Sequence, residues 1–318
     1  MAAGNDELGR RELGQTGLNV SVLSLGTAGL GGVYGNTDER TGVATALRAF
    51  DLGITTFDSS PYYGNTRSET VLGKALAQLP REDVVVMTKC GRYGATDFDF
   101  SPARIKSSVD ESLQRLQIET LDVLFVHDIE FGDLDRILDE SVATLHELKA
   151  CGKARAVGIT GLPLHVFHTA MDRGVQLDAI LSYCHGTLFD DSLQTLLPRC
   201  HERRIGVVNG SPAAMGLLSS RGPQSWHPAD AEIQGLCAQA AQHAASRGAE
   251  LATLALQFAC DLPGVATTLC GATTPAELEH SVRAVATPLD RTLLAEVESI
   301  LQPIRGRTWL QGRPENNG

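Results

Sequence analysis

Nowhere in the 318 residues does an apolar run approach the ~20 residues that a membrane-spanning helix requires. No membrane partner is expected. The N-terminal stretch MAAGNDELGRRELG lacks the apolar core of a secretory leader. Positive charge is also scarce: 27 Lys and Arg stand against 38 Asp and Glu, for a formal net charge of −11. That is the wrong sign for a nucleic-acid binder. The seven cysteines, at 90, 151, 184, 200, 237, 260 and 270, are odd in number and include no C-x-x-C pair. Neither a disulfide framework nor a zinc or other metal site is expected from them. Most sit in apolar segments, as buried free thiols of a cytoplasmic protein do. Low-complexity tracts are missing too.

What the chain does have is a large apolar fraction, 42%, much of it in short β-branched runs. Eight such runs cover residues 20–26, 54–58, 84–89, 121–127, 154–160, 177–183, 205–211 and 265–271. Each is nearly continuously apolar, as strands covered on both faces are. Segments of helical periodicity lie between them, at 38–52, 68–79, 102–116, 134–151, 163–173 and 193–203. Several open on a helix-start signal, such as Thr37-Asp38, Ser101-Pro102 or Gly161-Leu162-Pro163. Eight strand–helix units in series read as an α/β fold, a (β/α)8 TIM barrel. One domain then spans 1–318, with its core at about 10–303 and a C-terminal tail at 304–318.

A doubly wound sheet is the alternative fold and would carry a Gly-rich turn after its first strand. In GTAGLGGVYG (26–35), counted from Gly29, Tyr34 stands where the third glycine belongs. These glycines read instead as a flexible strand-end loop near a ligand. Two segments fall outside the repeat: a long loop at 212–230 and the tail after Gln302. Each carries an exposed-looking tryptophan, Trp226 and Trp309.

Active sites of such barrels lie at the C-terminal ends of the strands. Those ends carry Asp58, Lys89, His127 and Thr160, with Tyr63 in the loop after the second strand. Each has a plain structural reading: Asp58 caps a turn with Ser59 and Ser60, Lys89 is solvated, His127 is a core histidine, Tyr63 is a loop aromatic. Their coincidence on neighbouring strands favours a site. A tyrosine with an ordinary pKa near ~10 is a poor acid or base at neutral pH. A nearby ammonium lowers that value, and a carboxylate holds the ammonium in place. A neutral histidine can orient a substrate oxygen. The set suits proton transfer coupled to hydride transfer at a carbon bearing oxygen.

In FDSSPYYGNTRSETVLGKAL, VVVMTKCG, LDVLFVHD, GKARAVGITG and the Ser-Pro of NGSP, the chain resembles the aldo-keto reductases. The likeness runs from RRELGQTGLNVS to about residue 303. SPYYG, TKCGRY, VHDIEFG, GITGLPL and WHPA bring it nearest the plant-type L-galactose dehydrogenases. The resemblance implies that Asp58, Tyr63, Lys89 and His127 are the catalytic four, Asp58 leaving the core to pair with Lys89 while Gly64 turns the chain away. It also implies a nicotinamide cofactor contacting Gly26, Thr27, Asp58, Thr160, Ser182, Ser211, Gly271, Thr273, Glu277 and Ser281.

Several positions depart from the family pattern. Thr160-Gly161 replaces the Ser-Asn that holds the nicotinamide amide, Ser182 stands for a glutamine, and Gly210 for a ring-stacking tyrosine. After the last strand, Gly271 and Glu277 stand where relatives using NADP place basic residues. A carboxylate repels a 2′-phosphate but accepts from a ribose hydroxyl, so NAD is the expected cofactor. The implied activity is oxidation of the C1 hydroxyl of an aldose, L-galactose foremost, to its lactone, with L-fucose or D-arabinose as alternatives. Trp226, His227 and Trp309 are expected to line the sugar pocket with Tyr63 and His127, packing being their other reading. A rival of another class is a cofactor-binding regulator like the potassium-channel β-subunits.

Overall fold

The computed structural model describes residues 8–35 and 37–318; the first half of the N-terminal stretch read above as lacking a leader lies outside them. A short antiparallel hairpin, β1 (Arg10–Glu12) and β2 (Asn19–Ser21), precedes the barrel. Eight parallel strands then close on themselves: β3 (Leu23–Gly26), β4 (Thr56–Asp58), β5 (Val85–Cys90), β6 (Leu121–Val126), β7 (Ala154–Gly161), β8 (Ala179–Tyr183), β9 (Gly206–Gly210) and β10 (Thr267–Gly271). β10 pairs with β3 to complete the ring.

Helices alternate with the strands, so each strand is buried on both faces and its apolar run is continuous. They are α1 (Glu39–Asp51), α2 (Arg67–Leu76), α3 (Pro102–Leu116), α4 (Leu134–Arg136), α5 (Val142–Ala150), α6 (Leu164–Asp172), α7 (Leu197–Arg203), α8 (Ala231–Ser246), α9 (Leu251–Asp261), α10 (Pro275–Ala286) and α11 (Arg291–Leu301). Two start signals act as expected. The Asp38 carboxylate accepts from Thr41 N, and Ser101 Oγ accepts from Arg104 N. No helix among the described residues is long and apolar enough to cross a membrane.

The interior of the ring is a separate cluster containing Met87, Val123, Phe125, Ala179, Leu181 and Val208, which Leu13, Leu18 and Val20 join from the hairpin. The hairpin thus plugs the bottom. This corrects the first expected strand: 20–26 is two elements, because an apolar plug residue and an apolar strand residue look alike in sequence. The helix expected at 134–151 is likewise interrupted by a π turn over Ile137–Ser141, and 193–203 begins as a 3-10 turn, Ser192–Thr195.

The glycines of 26–35 are not a phosphate turn. Thr27–Gly29 is a 3-10 turn, and Gly31 packs against the Tyr-Tyr-Gly segment. A Cβ on Gly64, which has φ +61°, would stand 2.1 Å from Gly31 O. Two bare backbones therefore meet where a side chain would force them apart.

The tail after α11 folds back over the C-terminal ends of the strands. Gly306 N donates to Phe189 O (2.7 Å) and Arg313 N to Glu130 O (2.8 Å). Asn316 Nδ2 donates to Glu130 O (2.9 Å) and Gly132 O (3.0 Å). Trp309 is accordingly buried, not exposed, among Leu162, Leu188 and Phe189, whereas Trp226 is 54% exposed.

Candidate active site

Asp58, Lys89 and His127 meet at the C-terminal mouth because β4 ends at Asp58, β5 carries Lys89 at its fifth position, and His127 follows β6 directly. The Lys89 ammonium is buried. It donates to Asp58 Oδ1 (2.8 Å), Asp58 Oδ2 (2.7 Å) and Ser59 O (2.8 Å), which uses all three of its hydrogens. Its Nζ stands 4.7 Å from the centroid of the Tyr63 ring. His127 meets that ring edge-on, centroids 5.8 Å apart. Its Nδ1 is 3.1 Å from Ser60 Oγ, leaving Nε2 toward the mouth. Burial pushes the imidazole down to about 3, so it is neutral at physiological pH.

Tyr63 departs from the sequence expectation. Burial, and then the Asp58 and Asp128 carboxylates, hold its phenol well above the ordinary tyrosine value, against a small opposing effect of Arg92. These effects outweigh the lowering expected of the Lys89 ammonium, whose charge the Asp58 carboxylate opposes at close range.

Around this cluster lie groups that the sequence reading passed over. Arg92 ion-pairs with Asp128 and lies 4.0 Å from the centroid of the Tyr62 ring. Tyr62 is thus the platform for the guanidinium. Glu130 is fully buried. Its Oε1 accepts from Leu162 N (3.1 Å) and Tyr183 Oη (3.3 Å), while Oε2 has no protein partner. Burial, reinforced by the Asp128 charge, pushes its carboxyl up to about 8. Tyr183 Oη in turn accepts from Gln311 Nε2 of the tail (2.6 Å). Arg92, Asp128 and Glu130 lie within TKCGRY and VHDIEFG, so the only signal available was polar character beside the strand ends.

The cofactor candidates lie along the ends of β3, β7, β8, β9 and β10. Thr27 Oγ donates to Asp58 O (2.9 Å) and is 2.6 Å from Ser68 Oγ; it locks the two strand ends together beside Gly26. Thr160 Oγ accepts from Asp128 N (2.9 Å) and donates to Asp128 Oδ1 (3.2 Å), so its hydroxyl is engaged. Ser182 Oγ is buried with no protein partner, a free polar atom of the kind a carboxamide would meet. Ser211, just past β9, is left-handed (φ 52°). Gly271 is exposed with open space where a side chain would be.

Glu277 Oε2 accepts from Thr273 N (2.9 Å) and Thr273 Oγ (2.8 Å). Partial burial opposes its charge, but these bonds hold the carboxyl below its usual value. Ser281 Oγ turns back to Glu277 O (3.2 Å). The sequence offered no basic residue in this segment before Arg283; the structure brings Arg221 from the 212–230 loop to 3.5 Å from Glu277 Oε1. The orphaned Ser182 hydroxyl and the Glu277–Thr273 pair are polar groups of the kind a nicotinamide dinucleotide would meet.

Two contacts join the aromatic trio: Trp226 stacks on His227, centroids 6.2 Å apart, and His227 meets Trp309 edge-on, centroids 4.8 Å apart. Both His227 nitrogens face backbone: Nε2 is 3.2 Å from Ala214 O, and Nδ1 accepts from Ala229 N (3.1 Å). The ring therefore positions its neighbours. A surface groove between α8 and α11, at His243, Arg291 and Glu296, lies away from all of this and holds none of the mouth chemistry.

Comparison with known proteins agrees with this architecture. The model of the aldo/keto reductase family matches residues 22–302. An L-galactose dehydrogenase of Arabidopsis thaliana is 45% identical over 314 residues, 96% of this chain and 98% of that one. A D-arabinose 1-dehydrogenase of Saccharomyces cerevisiae is 34% identical over 256 residues, 76% of this chain and 75% of that one. Among solved structures, a holo-form aldo-keto reductase from Bacillus halodurans superposes with a TM-score of 0.76 at 27% identity, over 97% of this chain and 99% of that one. A barrel with Asp, Lys, His and Tyr gathered at its mouth, matched over nearly its whole length, is an oxidoreductase fold of known lineage: the chain belongs to the aldo/keto reductase family.

Proposed function

We propose that this protein is an NAD-dependent aldose 1-dehydrogenase that oxidises L-galactose at C1 to its lactone. The observation carrying this reading is the Asp58–Lys89–Tyr63–His127 cluster at one mouth, joined to 45% identity with an L-galactose dehydrogenase. The nicotinamide cofactor supplies the hydride acceptor when bound. Gly26, Thr27, Ser182, Ser211, Gly271, Thr273, Glu277 and Ser281 would hold it, with Thr160 at the nicotinamide end.

The chain's own residues divide the remaining work. Neutral His127 holds the C1 oxygen through Nε2, and Tyr63 Oη takes the C1 hydroxyl proton as the C–H bond yields its hydride. Lys89, fixed by Asp58, keeps a positive charge behind the ring that favours the phenolate form of Tyr63, whose negative charge is discharged as Oη takes the proton. Trp226, at the rim, offers a face to the C–H side of the sugar.

The Glu277 carboxylate supports NAD over NADP, since a phosphate there would carry about −1.5 to −2 charges. Similarity to a D-arabinose 1-dehydrogenase supports a second reading in which D-arabinose or L-fucose is preferred. The test is steady-state turnover of L-galactose, L-fucose, D-arabinose and D-galactose with NAD and NADP separately. L-galactose with NAD is expected to give the highest kcat/KM and D-galactose a much lower one. Cofactor binding with no turnover of any aldose would point instead to a regulatory subunit.

A further inference from the structure

The residue after His127 is Asp128, and its backbone is left-handed, with φ 49°. Non-glycine residues hold that conformation at a cost, and only where surrounding contacts demand it. Here the demand comes from Thr160, whose hydroxyl accepts from Asp128 N (2.9 Å) and donates to Asp128 Oδ1 (3.2 Å). The turn brings the side chain back beside its own histidine. Asp128 Oδ2 lies 3.6 Å from His127 Nε2, too far for a direct hydrogen bond, and ion-pairs with Arg92.

Arg92 is held in turn by aromatic faces, its guanidinium carbon 4.0 Å from the Tyr62 centroid, 5.0 Å from that of Phe131 and 5.2 Å from that of Phe98. Asp128 is thus a buried carboxylate with a fixed orientation. An ionised carboxylate has about four acceptor positions. One hydroxyl and one guanidinium leave some of them free. Oδ2 is the oxygen beside Nε2, the atom that faces the reacting position.

Resting on the aldose reading above, we propose that Asp128, braced by Arg92, accepts a hydrogen bond from the sugar hydroxyl on the carbon next to the reacting one, and so selects the configuration at C2. Adjacent hydroxyl oxygens of a pyranose stand about a hydrogen-bond length apart. A sugar whose C1 oxygen accepts from His127 Nε2 therefore carries its C2 oxygen within reach of Asp128 Oδ2. A C2 hydroxyl of the opposite configuration, or none, leaves a buried carboxylate oxygen unmatched. Sites built to bond a hydroxyl discriminate strongly against analogues that lack it.

The experiment is a substrate-and-residue cycle. kcat and KM are measured for L-galactose, 2-deoxy-L-galactose and L-fucose, in wild type, Asp128→Ala and Asp128→Asn. In wild type, removal of the 2-hydroxyl is expected to lower kcat/KM ~10- to 100-fold, with L-fucose behaving like L-galactose. Asp128→Ala should lose a similar factor on L-galactose but little more on the 2-deoxy sugar, because the partner is already gone. Asp128→Asn should fall between. A wild type indifferent to the 2-hydroxyl overturns the proposal without recourse to any variant. So does a variant that discriminates against the deoxy sugar as strongly as wild type. A wild type that turns over no aldose overturns the aldose reading itself, a result distinguishable from either.

Discussion

Lys89 Nζ stands over the face of Tyr63, 4.7 Å from the ring centroid, with its three hydrogens directed at Asp58 and Ser59. The lysine thus acts on the phenol through its field and not through a hydrogen bond in the resting protein. With the phenol held well above its usual value, the proton-accepting form becomes more abundant as pH rises, and oxidation should accelerate on the alkaline side of neutrality. Tyr63→Phe should keep the fold and lower kcat by ~10²–10⁴-fold. Lys89→Met should move the rising limb of the pH–rate profile upward and lower its plateau. A Phe variant at near wild-type rate, or an unchanged profile without Lys89, would remove these residues from the mechanism.

Glu130 links pH to stability. Burial, with the Asp128 charge, pushes its carboxyl from the ordinary 4.5 up to about 8 in the folded protein. Between those values the folded state binds the extra proton, so this group's contribution is fully present below 4.5 and is lost as pH rises through about 8. Glu130→Gln keeps an acceptor for Leu162 N and Tyr183 Oη but cannot ionise. Urea midpoints measured from pH 5 to 9 should fall more steeply in wild type than in the variant. Parallel curves would mean that the carboxyl is not the titrating group.

At the adenosine end, Glu277 is tied to Thr273 and faced by Arg221. Glu277→Arg should raise kcat/KM for NADP relative to NAD, since guanidinium pairs well with phosphate. Arg221 is 85% exposed, so its charge is screened and should not reverse the wild-type preference for NAD. Kinetics with both cofactors at fixed ionic strength decide the matter. Wild-type preference for NADP, or an unmoved ratio in the variant, would take Glu277 away from the ribose.

Gly64→Ala tests the seating of the Tyr63 turn. The added methyl would meet Gly31 O at 2.1 Å, in a left-handed conformation that alanine disfavours. A loss of ~2–3 kcal/mol is expected, together with reduced kcat, as Tyr63 precedes the displaced residue. Gly17→Ala is also left-handed but meets nothing within 4 Å, so it should be milder. Equal unfolding midpoints for the two would show that the contact with Gly31 does not matter.

The barrel was legible because each strand is covered on both faces, so apolar runs mark strands directly. Strand starts were less legible. Residues 20 and 21 belong to the hairpin, and β4 begins only at Thr56. Asp58, Lys89 and His127 could be placed because the C-terminal strand ends themselves form the mouth. Asp128, Arg92, Glu130 and Gln311 could not. Their proximity depends on a left-handed residue after β6 and on a tail returning from the far end of the chain, and neither leaves a periodic trace. Trp309 was misjudged for the same reason: polar neighbours in sequence say nothing about what the tail folds against.

That returning tail bears on how the protein is made. Asn316 donates to Glu130 O across 186 positions, and Gly306 and Arg313 anchor the same segment. During vectorial synthesis the ring can close once β10 has emerged, but the mouth waits for residues beyond 302. Contacts of such long sequence separation form late and slowly. A nascent chain halted at that stage would hold a closed barrel with Tyr183 and Glu130 uncovered, a window in which a chaperone could tell the finished enzyme from an unfinished one.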